Sequence, residues 1–106
     1  MSHPPIVKSL EAERDLIDLF EYIANDSGVD RAELILRRID HTLQNLAVWP
    51  RAGRIRLDLD GTPRVFALWP WLIVYEPRSD GGIVVWRILD GRRDLSRIVR
   101  PPSRIE

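Results

Sequence analysis

Leu46-Ala47-Val48-Trp49-Pro50-Arg51-Ala52-Gly53-Arg54-Ile55-Arg56-Leu57 is where this chain changes its hydrophobic period, and that change decides the fold. Up to Leu46, apolar residues recur every three or four positions, the spacing of one helix face. Beyond Gly53, Arg54-Ile55-Arg56-Leu57 alternates polar and apolar, the period of a strand. Trp49-Pro50 divides the two regimes, because proline disfavours helical geometry in the residue before it. The sequence therefore predicts helices before this point and antiparallel strands after it, an α+β domain.

Towards the N-terminus, Ala32, Ile35, Leu36, Ile39, Leu43 and Leu46 form one apolar stripe of an amphipathic helix. Before it, Ala12, Leu16, Leu19/Phe20 and Ile23 repeat at the same spacing, with Asp15, Asp18 and Glu21 expected to face outward. Ser9 suits the N-cap of this first helix, and Glu11 and Glu13 fall in the first turn, where the helix dipole favours anions. Asn25-Asp26-Ser27-Gly28 closes it, Gly28 being suited to a left-handed cap. So short a connection forces the helices into an antiparallel hairpin. Ile6-Val7-Lys8, after Pro4-Pro5, reads as an N-terminal strand.

Towards the C-terminus, Asp60-Gly61, Trp69-Pro70 and Asp80-Gly81-Gly82 are turn signals. They separate strands at Arg64 to Leu68, Leu72 to Tyr75 and Ile83 to Leu89, an antiparallel meander in a sheet of three to four antiparallel strands. Leu95, Ile98 and Val99 can form a helical turn that packs back, and 100–106, with Pro101-Pro102, reads as a loose tail. The whole of 1–106 is one domain, without internal repeat or low-complexity tract.

Composition narrows the chemistry. There is no cysteine, so neither disulfide nor thiol chemistry is available. The only histidines are His3 and His41, with no zinc spacing between them, and no Gly-rich phosphate loop is present. Ser9, Ser27, Ser79 and Ser96 have no histidine base nearby in the pattern. No metal site, cofactor or catalytic residue is expected. No run approaches the roughly 20 apolar residues that cross a bilayer, and Met1 to Pro5 lacks the basic start of a signal peptide, so a cytoplasmic protein is expected.

The net charge of zero hides an asymmetry. Residues 1–50 carry nine acids and five bases, whereas 51–106 carry eleven bases and seven acids. Fifteen of the sixteen bases are arginine, a bias that codon usage explains as well as function does; their clustering in the second half is more informative. Arg54, Arg56, Arg64, Arg87, Arg92 and Arg93 lie on or beside strands of one sheet, which reads either as a solvated face or as a cationic surface for an acidic peptide or a nucleic-acid backbone. Trp86 reads as core. Trp69 and Trp71 bracket Pro70 in a turn, where both can hardly be buried, so one is expected to contact a partner. The reading is of a domain that grips a macromolecule.

Ala12-Glu13-Arg14-Asp15-Leu16, Tyr22-Ile23-Ala24, Pro50-Arg51-Ala52-Gly53-Arg54, Arg64-Val65-Phe66, Leu72-Ile73-Val74-Tyr75 and Arg87-Ile88-Leu89-Asp90-Gly91-Arg92-Arg93-Asp94, in that order, resemble the RelE/ParE toxin superfamily from about Ile6 to Val99. The resemblance implies the same fold and a toxin neutralised by a cognate antitoxin in a hetero-oligomer. It also implies one of two activities: the RelE branch cleaves mRNA on the ribosome, and the ParE branch poisons DNA gyrase. RelE-like nucleases carry an arginine after the aromatic of the strand ending in this tyrosine, where this chain has Leu72 after Trp71. They also carry a C-terminal tyrosine or histidine, and here Val99 stands near that place. Gly91-Arg92-Arg93-Asp94 resembles the ParE branch more closely, although Asp90 replaces the histidine often found there. An acid at 90 either weakens an anionic contact or pairs with Arg92. By this resemblance Arg64, Arg87, Arg92 and Arg93 supply polar contacts and Trp71 and Tyr75 apolar ones, to gyrase or to a ParD-like antitoxin, with no sequence-specific DNA binding by the toxin alone. The alternatives are a ribosome-dependent endoribonuclease using Arg64 and Arg93, and an inactive member that only binds antitoxin.

Overall fold

A computed structural model describes residues 3–102. The order is β1 (Ile6–Lys8), α1 (Leu10–Ser27), α2 (Val29–Val48), β2 (Arg54–Ile55), β3 (Arg64–Leu68), β4 (Trp71–Pro77), β5 (Ile83–Asp90) and α3 (Leu95–Ile98). Ser9 starts α1: its hydroxyl accepts from the Ala12 N–H at 3.0 Å and donates to the Trp86 carbonyl at 2.7 Å, so the cap also ties the helix to β5. Gly28 alone joins α1 to α2, at φ 96°, a conformation that a side chain would resist. The helices pack as the expected hairpin, and the helix period ends at Val48 with Trp49 as C-cap.

The strands form one five-stranded sheet in the order β1-β5-β4-β3-β2. Strands β2 to β5 are antiparallel neighbours, as expected, but the sheet as a whole is mixed. β1 pairs in parallel with β5, in the register Ile6↔Ile83, Val7↔Val84 and Lys8↔Val85. The four antiparallel strands are the expected ones, and the expected N-terminal strand joins them as a parallel fifth, which makes the sheet mixed. The physical reason is that β5 is buried on both faces and would otherwise leave backbone groups unpaired along its outer side. The Ile83 N–H bonds the Pro5 carbonyl and the Ser9 N–H bonds the Val85 carbonyl, both at 3.0 Å.

Each sheet face carries its own apolar cluster. Ile73, Tyr75, Ile83, Val85 and Ile88 pack with Ala12, Leu19, Ile23, Ile39, Leu43 and Leu46 of the helices. Val74, Val84, Trp86 and Leu89 pack on the other side with Leu59, Leu95 and Val99. Burial on both faces explains why Leu72–Tyr75 and Ile83–Trp86 are continuous apolar runs instead of alternating ones. Tyr75 pairs with Val85 and Val74 with Arg87, so Trp86 is the extra residue of a β-bulge. Trp86 is buried, as its sequence context suggested, and its indole N–H donates to Glu76 at 2.6 Å. Of the tail, Arg100 donates to the Val99 carbonyl at 2.7 Å, while 103–106 lie outside the described residues.

Candidate partner-binding surface

The end of β5 meets the turn between β3 and β4. The Gly91 N–H donates to the Pro70 carbonyl at 2.7 Å, and a Cβ on Gly91 would stand 2.7 Å from the Trp69 ring. A side chain at this position would push the Trp69 ring aside. Trp69, 68% exposed, therefore lies against the Asp90–Asp94 turn, while Trp71 is half-buried and packs on the helix-side core. Of the two tryptophans bracketing Pro70, Trp69 is the one left in solvent.

Arg92 is bound to its neighbour. Its backbone N–H and its Nε both donate to Asp90 Oδ1 at 2.9 Å, and Nη2 bonds Oδ2. These bonds, the guanidinium first and then the backbone N–H, pull the Asp90 carboxyl down to about 2. Of the two roles open to an acid at position 90, pairing with Arg92 is the one adopted. The Arg93 side chain is exposed and lines a cleft of about 220 Å³ together with Asp15, Asp18, Leu19, Tyr22, Trp71 and Asp90. Among the described residues no carboxylate forms an ion pair with Arg93. Tyr22 is 65% exposed on α1 beside this cleft. The surface thus offers aromatic rings and two arginines, the composition of an anchor for a macromolecular partner.

The other three candidate residues are engaged by the fold itself, Tyr75 buried and Arg64 and Arg87 half-buried. Tyr75 is fully buried, and burial pushes its phenol up from the ordinary value. Its hydroxyl donates to the Pro50 carbonyl at 2.7 Å and accepts from the Gly53 N–H at 2.8 Å. Arg64, opposite Tyr75 across β3 and β4, donates to the Gly53 carbonyl at 2.8 Å. A Cβ on Gly53 would fall 2.6 Å from the Tyr75 hydroxyl. Pro50-Arg51-Ala52-Gly53 is thus a loop stapled to the sheet, and Tyr75 has no surface left to offer a partner. Arg87 donates through Nε and Nη2 to the two oxygens of Asp15, at 2.8 and 2.9 Å. The Ile88 N–H joins them at 2.9 Å on Asp15 Oδ2.

Asp15 was expected to face outward, and here the structure corrects the reading: its side chain is 10% exposed. β1 stops opposite Val85, and the Asp15 carboxylate takes over the edge of β5 beyond it. Tyr22, which entered only as part of a family motif, was not among the expected site residues. Its signal was a large aromatic between Glu21 and the apolar Ile23, off the buried stripe of α1.

The family described as the ParE toxin of type II toxin-antitoxin systems, parDE, matches residues 6–95, which include the Asp90–Asp94 turn. The chain belongs to the ParE toxin family. It is similar to Toxin ParE3 of Caulobacter vibrioides, 33% identical over 91 residues, which are 86% of this chain and 90% of that one. It is also similar to Toxin ParE1 of Mycobacterium tuberculosis, 29% identical over 86 residues, 81% of this chain and 88% of that one. Membership of this toxin-antitoxin family implies an antitoxin partner. Among the described residues no helix of this ParE toxin is long and apolar enough to cross a membrane.

Proposed function

We propose that this ParE-family chain inhibits DNA gyrase and is neutralised by a ParD-like antitoxin, in a cytoplasmic hetero-oligomer that serves plasmid stabilisation. One observation carries the choice against ribonuclease chemistry. The two positions at which RelE-like nucleases keep an arginine and a tyrosine or histidine hold Leu72 and Val99, both packed in the apolar cluster beneath the sheet. Val99 is fully buried. RNA cleavage needs groups that give and take protons at the scissile phosphate, and arginine, charged up to a pKa above about 12, seldom does so. A toxin that acts by binding needs only a complementary surface, which Trp69, Trp71, Tyr22, Arg92 and Arg93 supply.

The test is purified chain with gyrase, relaxed and supercoiled plasmid and ATP. Accumulation of protein-linked linear DNA, suppressed by the antitoxin, is the expected result. Folded chain that leaves gyrase untouched overturns the proposal, and new A-site cleavages in toeprints of translating ribosomes would install the nuclease instead. A second reading, a member that binds antitoxin without poisoning anything, is favoured by the Asp90–Arg92 bond, which already occupies one of the two arginines. Normal growth on induction without antitoxin would select it.

A further inference from the structure

At the other end of β4, about 20 Å from Trp71 at 3.3 Å per residue, lies a pocket of about 520 Å³ lined by Trp49, Pro50, Arg51, Ala52, Pro77 and Arg78. It is separate from the surface described above. Trp49, the C-cap of α2, is 70% exposed. Arg51 is exposed, and among the described residues no carboxylate pairs with it or with Arg54, the exposed first residue of β2. No acid lines the pocket, whereas Asp15, Asp18 and Asp90 all line the cleft beside Arg93. Among the described residues the one carboxylate bonded to its wall, Asp80, is held by Arg78 at 2.9 Å.

The backbone that presents Trp49 and Arg51 is fixed. The bonds from Tyr75 to Pro50 and Gly53 hold the loop on its inner side, as do those of Arg64 to the Gly53 carbonyl at 2.8 Å and the Arg51 carbonyl at 3.4 Å. A rigid loop that displays an indole beside an unpaired guanidinium over a proline floor needs little ordering when a ligand arrives. An aromatic face flanked by cations and free of acids matches an unpaired base with its phosphate, because any base stacks on an indole and the backbone is anionic.

We infer that the Trp49–Arg51 pocket binds single-stranded nucleic acid, stacking one unpaired base on Trp49 and holding the adjoining phosphate with Arg51. Such binding is independent of sequence and of whether gyrase is the target.

The test titrates purified chain with a short oligothymidylate, following the four tryptophan indole N–H signals by NMR and the affinity by anisotropy. The Trp49 signal should move most. Trp49→Ala should weaken binding roughly fivefold or more, the loss of one stacked base, and Trp49→Phe should recover part of it. Arg51→Ala should weaken binding and flatten the dependence of log affinity on log salt by about 0.7, one phosphate contact on a single strand. Both side chains are exposed, so the urea midpoint of each variant should match that of the parent. Equal binding by Trp49→Ala, or an unmoved Trp49 signal, overturns the inference. So does polyglutamate that matches oligothymidylate in affinity and shifts the same signal, which would make the occupant an acidic peptide.

Discussion

Replacing Asp15 by alanine should damage the fold far more than replacing any other acid of α1. The carboxylate accepts three hydrogen bonds, at 2.8, 2.9 and 2.9 Å, from the Arg87 guanidinium and the Ile88 N–H. Its removal leaves a cation with 20% side-chain exposure and a backbone donor at the β5 edge without partners. Breaking a buried ion pair from one side costs about 3–5 kcal/mol. The lower end applies, since a fifth of Arg87 still reaches water, so about 3 kcal/mol is expected. For a domain of about 100 residues that lowers Tm by roughly 12–24 °C, at about 4–8 °C per kcal/mol. Urea unfolding followed by circular dichroism measures it, with Asp18→Ala, an exposed acid on the same helix, as control. Arg87→Met in the Asp15→Ala background should restore part of the loss, because the stranded cation is then gone. If Asp15→Ala costs less than about 1 kcal/mol, the value of an exposed pair, or if the two substitutions add without coupling, the buried-pair reasoning is refuted.

The other stability predictions rest on single contacts. Tyr75→Phe removes a hydroxyl that serves both Gly53 and Pro50, and should cost about 2 kcal/mol in urea unfolding, on the order of 1 kcal/mol per lost bond. Ser9→Ala should cost about 1–2 kcal/mol, because the buried N-cap bond and the bond to the Trp86 carbonyl are lost together. The Asp90 carboxyl lies below its ordinary value of 3.8, so the pairing with Arg92 contributes stability above that value and loses it as pH falls through about 2. A carbon-detected titration should place its midpoint near 2, and Arg92→Ala should return it towards 3.8.

The helices, their caps and the meander were legible because each is written locally. Ser9 before an apolar repeat, Gly28 between two such repeats and Trp49-Pro50 at a change of period need no knowledge of distant chain. The pairing of β1 with β5 was not legible. Three residues, Ile6–Lys8, meet a strand more than seventy positions away, and periodicity does not name a partner. Asp15 escaped for a related reason: it flanks the buried stripe of α1, and only the early end of β1 makes the edge of β5 available to it. At the candidate surface, Arg92, Arg93 and Trp71 were named by the family resemblance and not by the turn sequence alone. That Tyr75 and Arg64 hold the Pro50–Gly53 loop could not be read from the sequence, since those contacts join residues 11 and 25 positions apart and no local pattern names such partners.

Under the proposed function, a binding surface at the end of β5 would make this chain toxic through gyrase without ribonuclease chemistry. The most direct measurement compares the parent with the Arg92→Ala/Arg93→Ala double variant in the gyrase cleavage assay, after circular dichroism shows both to be folded at the assay temperature. The expected result is protein-linked linear DNA with the parent and little or none with the variant, alongside loss of toxicity on induction. A fully active double variant, or a parent that leaves gyrase unaffected while cutting mRNA on ribosomes, would contradict the account.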